Sequence, residues 1–211
     1  KEAVDRALQL QPDLPRAHLA FGNYYFYSLK DYTKALETLS IAEKGLPNST
    51  GILKTTAFIR RRQGELREAI RLLKKAFELS PQDDNTAANI ALSYTALREY
   101  QEADFYYDRC LSLAPDQSWA YVFKADNYWL WEGETKRARF ILDKAPLKED
   151  SLYVFSRFSL EIIDNNNESA LNLLSSSSVE IFEVANYFLP KSVLIGQVYQ
   201  KTDRPEPARA S

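Results

Sequence analysis

Apolar residues recur along the chain at helical spacing, and short polar segments separate the stripes they form. In 84–113 one stripe runs from Ala87 to Tyr94, and a second runs from Ala103 to Cys110 after the polar segment REYQE. Intervals of three and four residues place side chains on one face of an α-helix. The pattern predicts pairs of amphipathic helices joined by short turns. No segment shows a convincing strand pattern, so the predicted fold class is all-α.

The helix pair repeats along the chain. One set of repeated positions is proline: Pro12, Pro47, Pro81, Pro115 and Pro146. A second set places a small residue in the first helix of each pair: Gly22, Ala57, Ala91, Ala125, Ser159 and Gly196. A third set opens the second helix: Ala35, Ala69, Ala103, Ala138, Ala170 and Ala208. All three sets recur with the same period of about 34 residues, which identifies an internal repeat.

Each proline segment is interpreted as a helix stop followed by a helix start. Proline cannot continue a helix, and it biases the preceding residue away from helical geometry. The acid and amide residues in PDLP, PQDD and PDQS suit the cap and first turn of the next helix, where free N–H groups need an acceptor. The small residues mark crossing points, because two helices approach closely only where side chains are small.

This pattern resembles the tetratricopeptide repeat family. The resemblance rests on the repeat length, on a small residue opening the second helix, on the terminal proline, and on a bulky–small pair in the first helix. The pairs are Phe21–Gly22, Ile90–Ala91 and Ile195–Gly196. The resemblance implies an α-solenoid of antiparallel helix pairs that winds into a right-handed superhelix.

The repeats predict a single array over 1–211 without a domain boundary. SSSS at 175–178 replaces the terminal proline of one unit, which is therefore degenerate. The expected units are the second helix of a preceding repeat at 1–14, full repeats at 15–49, 50–83, 84–117 and 118–150, a degenerate repeat with an irregular loop at 151–188, and a truncated repeat at 189–211.

Residues suited to catalysis or metal binding are scarce. His18 and Cys110 are the one histidine and the one cysteine of the chain, and both are expected to pack at helix contacts. A zinc site needs three or four ligands, and no glycine-rich phosphate loop is present. We therefore expect a protein that is not an enzyme and that binds no metal and no cofactor.

Charge and hydropathy narrow the class of partner. Residues 1–80 carry 14 Lys and Arg against 9 Asp and Glu, whereas 81–211 carry 13 against 20. The acidic half repels phosphate, so no nucleic acid is expected. No apolar run of about 20 residues predicts a membrane span. The single cysteine favours a reducing compartment, and a cytoplasmic location is expected, although the chain begins on a half-unit without Met.

In the tetratricopeptide repeat family, the first helices line a concave groove that holds peptides or partner helices. The resemblance therefore implies a protein–protein interaction scaffold, with first-helix positions outside the packing sets as candidate groove residues. These are Asn23, Tyr27, Lys54, Arg62, Asn89, Trp119, Phe123 and Asp126. Tyr, Trp and Arg dominate protein-binding hot spots. An alternative for Trp119 and Phe123 is packing against the degenerate repeat.

One subgroup of this family grips a C-terminal carboxylate with Lys and Asn side chains. Lys54 and Asn89 match that arrangement, but its other positions fall on Phe58, Trp119 and Phe123. Binding of that kind is therefore not expected.

Two further interpretations stay open. The array could be the regulatory or sensor arm of a larger signalling protein, such as a kinase, a cyclase or a transcription regulator. Its uncovered edges, at Val4 near one end and at Val193 and Val198 near the other, predict weak head-to-tail self-association.

Overall fold

The computed structural model describes residues 6, 9–184 and 187–201, and the side chains of these residues except those of Val184 and Tyr187. The chain falls into two compact units, 1–113 and 114–211. One uninterrupted array over 1–211 therefore stays a prediction. Residues 6, 9 and 10 are helical within the expected helix at 1–14. The predicted edge residue Val4 and the predicted second helix around Ala208 lie outside the described residues.

The first unit contains helix pairs in which each first helix packs on its second helix. Turns of two or three residues join the helices of a pair, so the two helices run antiparallel. The prediction of an all-α fold built from such pairs is confirmed. The elements are α1 (Pro15–Tyr24), a π-helical turn (Tyr25–Leu29), α2 (Tyr32–Gly45), α3 (Thr50–Arg62), α4 (Leu66–Leu79), α5 (Asp84–Ala96) and α6 (Tyr100–Leu113).

The second unit continues the helix pairs and adds a two-stranded sheet. Its buried core includes Val122 of the first helix, Phe158 of the third and Leu174 of the fourth. The elements are α7 (Ser118–Glu132), α8 (Thr135–Leu142), α9 (Ser151–Ile163), α10 (Asn167–Ser176), β1 (Ile181–Val184), β2 (Tyr187–Pro190) and α11 (Lys191–Lys201).

The expectation of a chain without strands is wrong at 181–190. β1 and β2 pair antiparallel, with Phe182 opposite Leu189. Phe182 is fully buried, whereas Ile181 and Phe188 are exposed. Strand side chains alternate between two faces, and here the alternation covers only four residues in each strand. So short an alternation does not stand out in a segment where apolar residues are frequent.

The last described helix covers part of the edge that the sequence left open. Leu194 and Val198 of α11 are buried in the core of the second unit, whereas Val193 is 43% exposed. Only part of this helix is therefore available to another molecule, and the head-to-tail self-association stays a prediction.

The small residues lie where helices come closest. A Cβ built on Gly22 would lie 2.6 Å from the Leu39 side chain, so even one methyl group would collide with α2. Ala57 and Ala91 have no exposed surface at the equivalent positions. The set that opens the second helices is also completely buried: Ala35, Ala69, Ala103, Ala138 and Ala170. The buried members of both sets are therefore helix contacts, as the repeat predicts, whereas Ser159 and Gly196 keep some exposure.

One residue per pair adopts left-handed backbone geometry at the turn between its two helices. Such a residue reverses the chain direction at a helix end. Glycine takes this conformation without steric cost, whereas other residues are strained by it. The left-handed residues are Lys30, Gly64, Arg98, Gly133 and Asn165.

The first repeat accommodates an extra residue as a π-helical turn. Seven positions separate the small residue Ala57 from the left-handed Gly64, but eight separate Gly22 from Lys30. The π-helical turn Tyr25–Leu29 lies within this longer interval. A π-helical hydrogen bond spans five residues instead of four, so the extra residue is inserted without ending the helix.

Three of the proline segments cap the next helix with a side chain, as predicted. Asp83 accepts a hydrogen bond from the backbone N–H of Thr86 at 3.0 Å, Ser49 accepts one from Ile52 at 3.4 Å, and Asp150 accepts one from Tyr153 at 2.9 Å. The N-cap positions of α1 and α7 are Leu14 and Gln117, and neither forms a side-chain cap.

Proline carbonyl groups at the helix junctions also receive side-chain hydrogen bonds. A helix end leaves carbonyl oxygens without a partner in the helix, and a side chain can satisfy them. The donors are His18 to Pro12 at 2.8 Å, Arg109 to Pro81 at 3.4 Å and Tyr121 to Pro115 at 3.1 Å.

A network of charged side chains joins α8 to α9. Arg139 binds the carboxylates of Glu161 and Asp164, and Thr135 donates to Asp164 at 2.6 Å. Glu161 is only 5% exposed. Burial raises its pKa, but hydrogen bonding and charge from Arg139 outweigh burial and hold the pKa below its ordinary value. The degenerate repeat is therefore tied to the preceding one by ionic contacts as well as by apolar packing.

We predict that Gly64→Ala lowers the free energy of unfolding by about 1 kcal/mol, because alanine is strained at positive φ. No described atom would lie within 4 Å of the added methyl group, so the change tests backbone strain alone. Gly51→Ala is the matched control within α3, where alanine is favoured over glycine by up to about 1 kcal/mol. Urea denaturation measures both variants, and equal effects would contradict the left-handed turn.

Candidate functional site

The histidine forms a hydrogen bond within the protein, and the cysteine packs in its core. His18 donates from Nε2 to the carbonyl oxygen of Pro12. Cys110 is fully buried, and burial, followed by the charge of Asp84, raises the pKa of its thiol to about 12. The thiol therefore stays protonated and packs as a small apolar group, as predicted. Within the described ranges, no group of three or more His, Cys, Asp and Glu side chains could hold a metal ion.

Among the described helices, none has both the length and the apolar character that crossing a membrane requires. The expected cytoplasmic location stays a prediction.

Polar side chains of adjacent first helices bind each other in the first unit. Asn23 of α1 accepts a hydrogen bond from Thr55 of α3 at 2.7 Å. Arg61 of α3 donates to Asn89 of α5 at 3.1 Å. Thr55 is buried, whereas the other three side chains keep some exposure. The predicted residues Asn23 and Asn89 therefore lie at successive contacts between first helices.

Lys54 holds the start of the next first helix. Its Nζ lies 2.8 Å from Oδ2 of Asp83, the residue that caps α5 at Thr86. Burial alone would raise the pKa of Asp83, but hydrogen bonds from Lys54 and Thr86 lower it below its ordinary value. The sequence analysis did not predict this ion pair. Because the Lys54 ammonium group binds Asp83, it already has a partner within the protein.

Arg61 is a candidate that the sequence analysis missed when it named Arg62. Its guanidinium lies 5.4 Å from the ring centre of Phe58 and donates to the neutral amide oxygen of Asn89. Burial, followed by the charge of Arg62, lowers the pKa of Arg61. No described carboxylate lies within 4.0 Å of it. The signal for Arg61 is its position three residues after Phe58, which places both on one side of α3.

The π-helical turn brings an aromatic side chain towards this cation. Tyr27 is 54% exposed and lies edge-on against Phe26, with 4.6 Å between ring centres. Tyr27 is close enough to Arg61 to influence the pKa of the guanidinium. On the other side, the Asn89 amide nitrogen donates to the backbone and side-chain oxygens of Asn85 at 2.8 and 3.0 Å. Arg61 is therefore the centre of a polar site shared by three consecutive repeats.

A groove of about 710 Å³ adjoins Asn23. One wall is α1 and the other is the loop between α2 and α3. Its lining is mainly apolar, with a cation and amides at its margins. The lining residues are Arg16, Leu19, Ala20, Asn23, Gly45, Leu46, Pro47, Asn48 and Ser49.

The candidate residues of the second unit all lie on α7. Trp119 and Phe123 contact each other with 6.0 Å between ring centres, and Trp119 Nε1 donates to Gln117 at 2.9 Å. Neither ring is among the described side chains that pack against the buried core of this unit. Asp126 accepts a hydrogen bond from Ser156 of α9 at 3.2 Å. Burial raises the pKa of Asp126 to about 6, although the bond from Ser156 opposes the shift.

Comparison with known proteins agrees with this architecture. A tetratricopeptide repeat family model matches residues 85–117, the segment that forms α5 and α6. A solved tetratricopeptide repeat protein from Parabacteroides merdae is similar over 96% of this chain and 78% of its own, with a TM-score of 0.71 and 18% identity. The chain contains a tetratricopeptide repeat and has the fold of that family.

Other structures similar to this chain share its fold at low sequence identity. PilW, described as a type IV pilus biogenesis factor, is 19% identical, with a TM-score of 0.70 over 82% of this chain and 81% of its own. PilF from Pseudomonas aeruginosa is 16% identical, with a TM-score of 0.65 over 82% of this chain and 78% of its own. No curated protein matches the sequence.

The predicted groove residues of this chain fall into distinct environments. Asn89 joins Arg61 in one polar site, while Asn23 binds the neighbouring helix beside the apolar groove. Lys54 is held by Asp83. Arg62 is exposed at the end of α3. The predicted residues thus lie on first helices or, for Tyr27, on the π-helical turn after α1, and side-chain contacts between repeats decide which of them come together.

We predict that Asp126→Asn stabilises the protein near pH 7.5 by about 1–3 kcal/mol, because each pKa unit corresponds to about 1.4 kcal/mol. The unfolded chain loses this proton near pH 3.8, whereas the folded chain holds it to about pH 6. Stability contributed by this group therefore falls as the pH rises from about 4 to about 6. Asparagine keeps the acceptor oxygen for Ser156 and carries no charge.

Urea denaturation at both ends of this pH range tests the prediction. The gain from Asp126→Asn should be largest above pH 6 and nearly absent near pH 4. Asp116→Asn, at an exposed residue in the loop before α7, is the control and should show little change at either pH. An equal effect of Asp126→Asn at both pH values would contradict the buried, raised-pKa carboxyl.

Proposed function

We propose that this protein is a non-catalytic protein–protein interaction scaffold. Its binding face is formed by the first helices of the repeats, and it takes an extended peptide or a partner helix. The observation that carries the proposal is the Arg61 guanidinium, which is partly buried and hydrogen-bonded to the neutral side chain of Asn89. Burial of a charge without an ion-pair partner is costly. An incoming carboxylate or carbonyl oxygen would offset this cost.

The surroundings of Arg61 suit a protein ligand. The guanidinium can donate to a carboxylate or a backbone carbonyl, and Asn89 can exchange its bonds with Asn85 for bonds to a peptide backbone. Phe58 beside the guanidinium and the exposed Tyr27 near it offer aromatic surface. Rigid aromatic groups beside an arginine are the composition found in binding hot spots. π-Helical turns such as the one carrying Tyr27 frequently occur at functional sites.

Two further areas of the first helices extend this proposal. The apolar groove beside Asn23 would take a hydrophobic side chain of the partner. The second unit, taken by itself, would offer a separate area on α7, with aromatic surface from the Trp119–Phe123 pair and a carboxyl group of Asp126 that changes charge near pH 6. Arg62 would contact the ligand from its exposed position at the end of α3. Lys54 would act indirectly, because its ion pair with Asp83 holds α5 in place. The regulatory or sensor arm of a larger signalling protein stays an open alternative and would use the same face.

Selection of binders from a phage-displayed random peptide library tests the proposal. We predict that Arg61→Ala lowers the affinity for the selected peptides about tenfold. This is the loss expected when a hydrogen bond to a charged group is removed. Asn89→Ala should also weaken binding, and Arg62→Ala should have a smaller effect. Isothermal titration with the purified protein measures the affinities.

Arg60→Ala is the matched control, because Arg60 lies in the last turn of the same helix but pairs with Glu65 at 3.1 Å. It should leave peptide affinity within about twofold of the parent, as expected for an exposed ion pair. Circular dichroism should show the same helicity for all variants. If the selected peptides bind Arg61→Ala as tightly as the parent, or if no peptide is selected, the proposed binding face is wrong.

A further inference from the structure

The exposed side of α4 carries a row of cations that lies outside the Arg61 site. Arg67, Arg71, Lys74 and Lys75 are all exposed there, at spacings of four, three and one residues. Intervals of three and four keep side chains on one side of a helix. The opposite side of α4 is buried in the core of the first unit through Leu73. Core packing does not use the cationic side of this helix.

These cations line a groove of about 480 Å³. Its apolar surface comes from Ile70, which is 6% exposed, and from the ring of Tyr94 on α5. The Tyr94 ring stacks on Tyr106 of α6, with 5.8 Å between ring centres, so its position is fixed by the adjacent repeat. Glu78 is the one carboxylate among the described residues that line the groove. Four cations therefore surround a small apolar floor.

The arginines of this groove already bind carboxylates in a defined geometry. Arg71 contacts both oxygens of Glu68, at 2.7 and 2.8 Å, and Arg67 lies 2.6 Å from Glu99. The Arg67 and Arg71 side chains are largely exposed, whereas their partners Glu99 and Glu68 are half-buried. Ion pairs at exposed positions contribute little stability, so an incoming carboxylate can exchange with them.

The two lysines add charge that the ion pairs do not neutralise. Within the described residues, neither Lys74 nor Lys75 has a carboxylate within 4.0 Å. Lys74 lies near enough to Tyr94 to lower the pKa of its phenol in part, against the larger effect of burial. The Lys74 ammonium group therefore lies near the aromatic wall of the groove, where Glu99 and Glu102 are also close enough to influence Tyr94.

We propose that this groove docks an acidic segment of a partner protein, with carboxylates on the four cations and an apolar side chain over Ile70 and Tyr94. The row from Arg67 to Lys75 spans about 12 Å along the helix axis at 1.5 Å per residue. Carboxylates on alternate residues of an extended segment recur at about 7 Å. Two such carboxylates therefore fit the row. A protein segment is favoured over nucleic acid because Tyr94 is the single aromatic ring among the described lining residues and one of its faces is covered by Tyr106, so successive bases have no series of rings to stack on.

Fluorescence anisotropy with synthetic peptides tests this docking site. The probe is a labelled peptide of alternating Glu and Ala, about ten residues long so that it exceeds the groove at roughly 3.3 Å per residue. The reference peptide replaces each Glu by Gln. We predict that the parent protein binds the Glu peptide and not the Gln peptide, and that raising the salt from about 0.05 to about 0.5 M weakens binding.

The double variant Lys74→Glu/Lys75→Glu should lower the affinity for the Glu peptide at least about tenfold, because two attractive charges become repulsive. Lys136→Glu, at an exposed residue of α8, is the control with the same kind of charge reversal and should leave binding unchanged. Thermal unfolding of each variant confirms that the fold is retained.

Three results would overturn the proposal. The first is no binding of the Glu peptide by the parent protein at low salt. The second is equal binding by the double variant and the Lys136→Glu control. The third is that single-stranded DNA, or vesicles of phosphatidylserine and phosphatidylcholine, bind more tightly than the peptide through the same lysines, which would assign the groove to a different class of partner.

Discussion

The close approach of paired helices at their small residues is the constraint on which the rest of this structure depends. Gly22 leaves no room for a methyl group against Leu39, and Ala57 and Ala91 are completely buried at the equivalent crossings. Core packing tolerates little added volume, because extra atoms force side chains or backbone to move. Each helix pair is therefore packed with the same geometry. As a result, equivalent side chains of consecutive first helices contact each other along the unit.

That arrangement determines which polar groups meet. Asn23 reaches Thr55, and Arg61 reaches Asn89, because first helices of adjacent repeats lie within hydrogen-bonding distance. The same packing draws the Arg61 guanidinium partly out of water without giving it a carboxylate. On the outer helix of the same repeat, α4 keeps its cations in water beside an aromatic floor. One repeat thus presents two chemically different surfaces, a desolvated charge on one and a hydrated row of charges on the other.

The sequence could predict what repeats and could not predict what departs from the repeat. Helix pairs and their crossing residues follow from periodicity, because packing requires small side chains at regular intervals. Arg61 and Arg62 are adjacent in sequence but about 100° apart around the helix, so only the packed neighbour shows which one turns inward. The ion pair between Lys54 and Asp83 joins different repeats. The strand pair at 181–190 is too short for its alternation to be recognised.

The central claim is that small residues set the distance between paired helices. The most direct measurement is the free energy of unfolding of Ala91→Leu compared with Ala96→Leu, which adds the same side chain to an exposed position of α5. The account predicts a loss of about 1–3 kcal/mol or more for Ala91→Leu, as for other overpacked cores. Ala96→Leu should stay within about 0.5 kcal/mol of the parent, as surface changes usually do. Equal stabilities for the two variants would contradict the account.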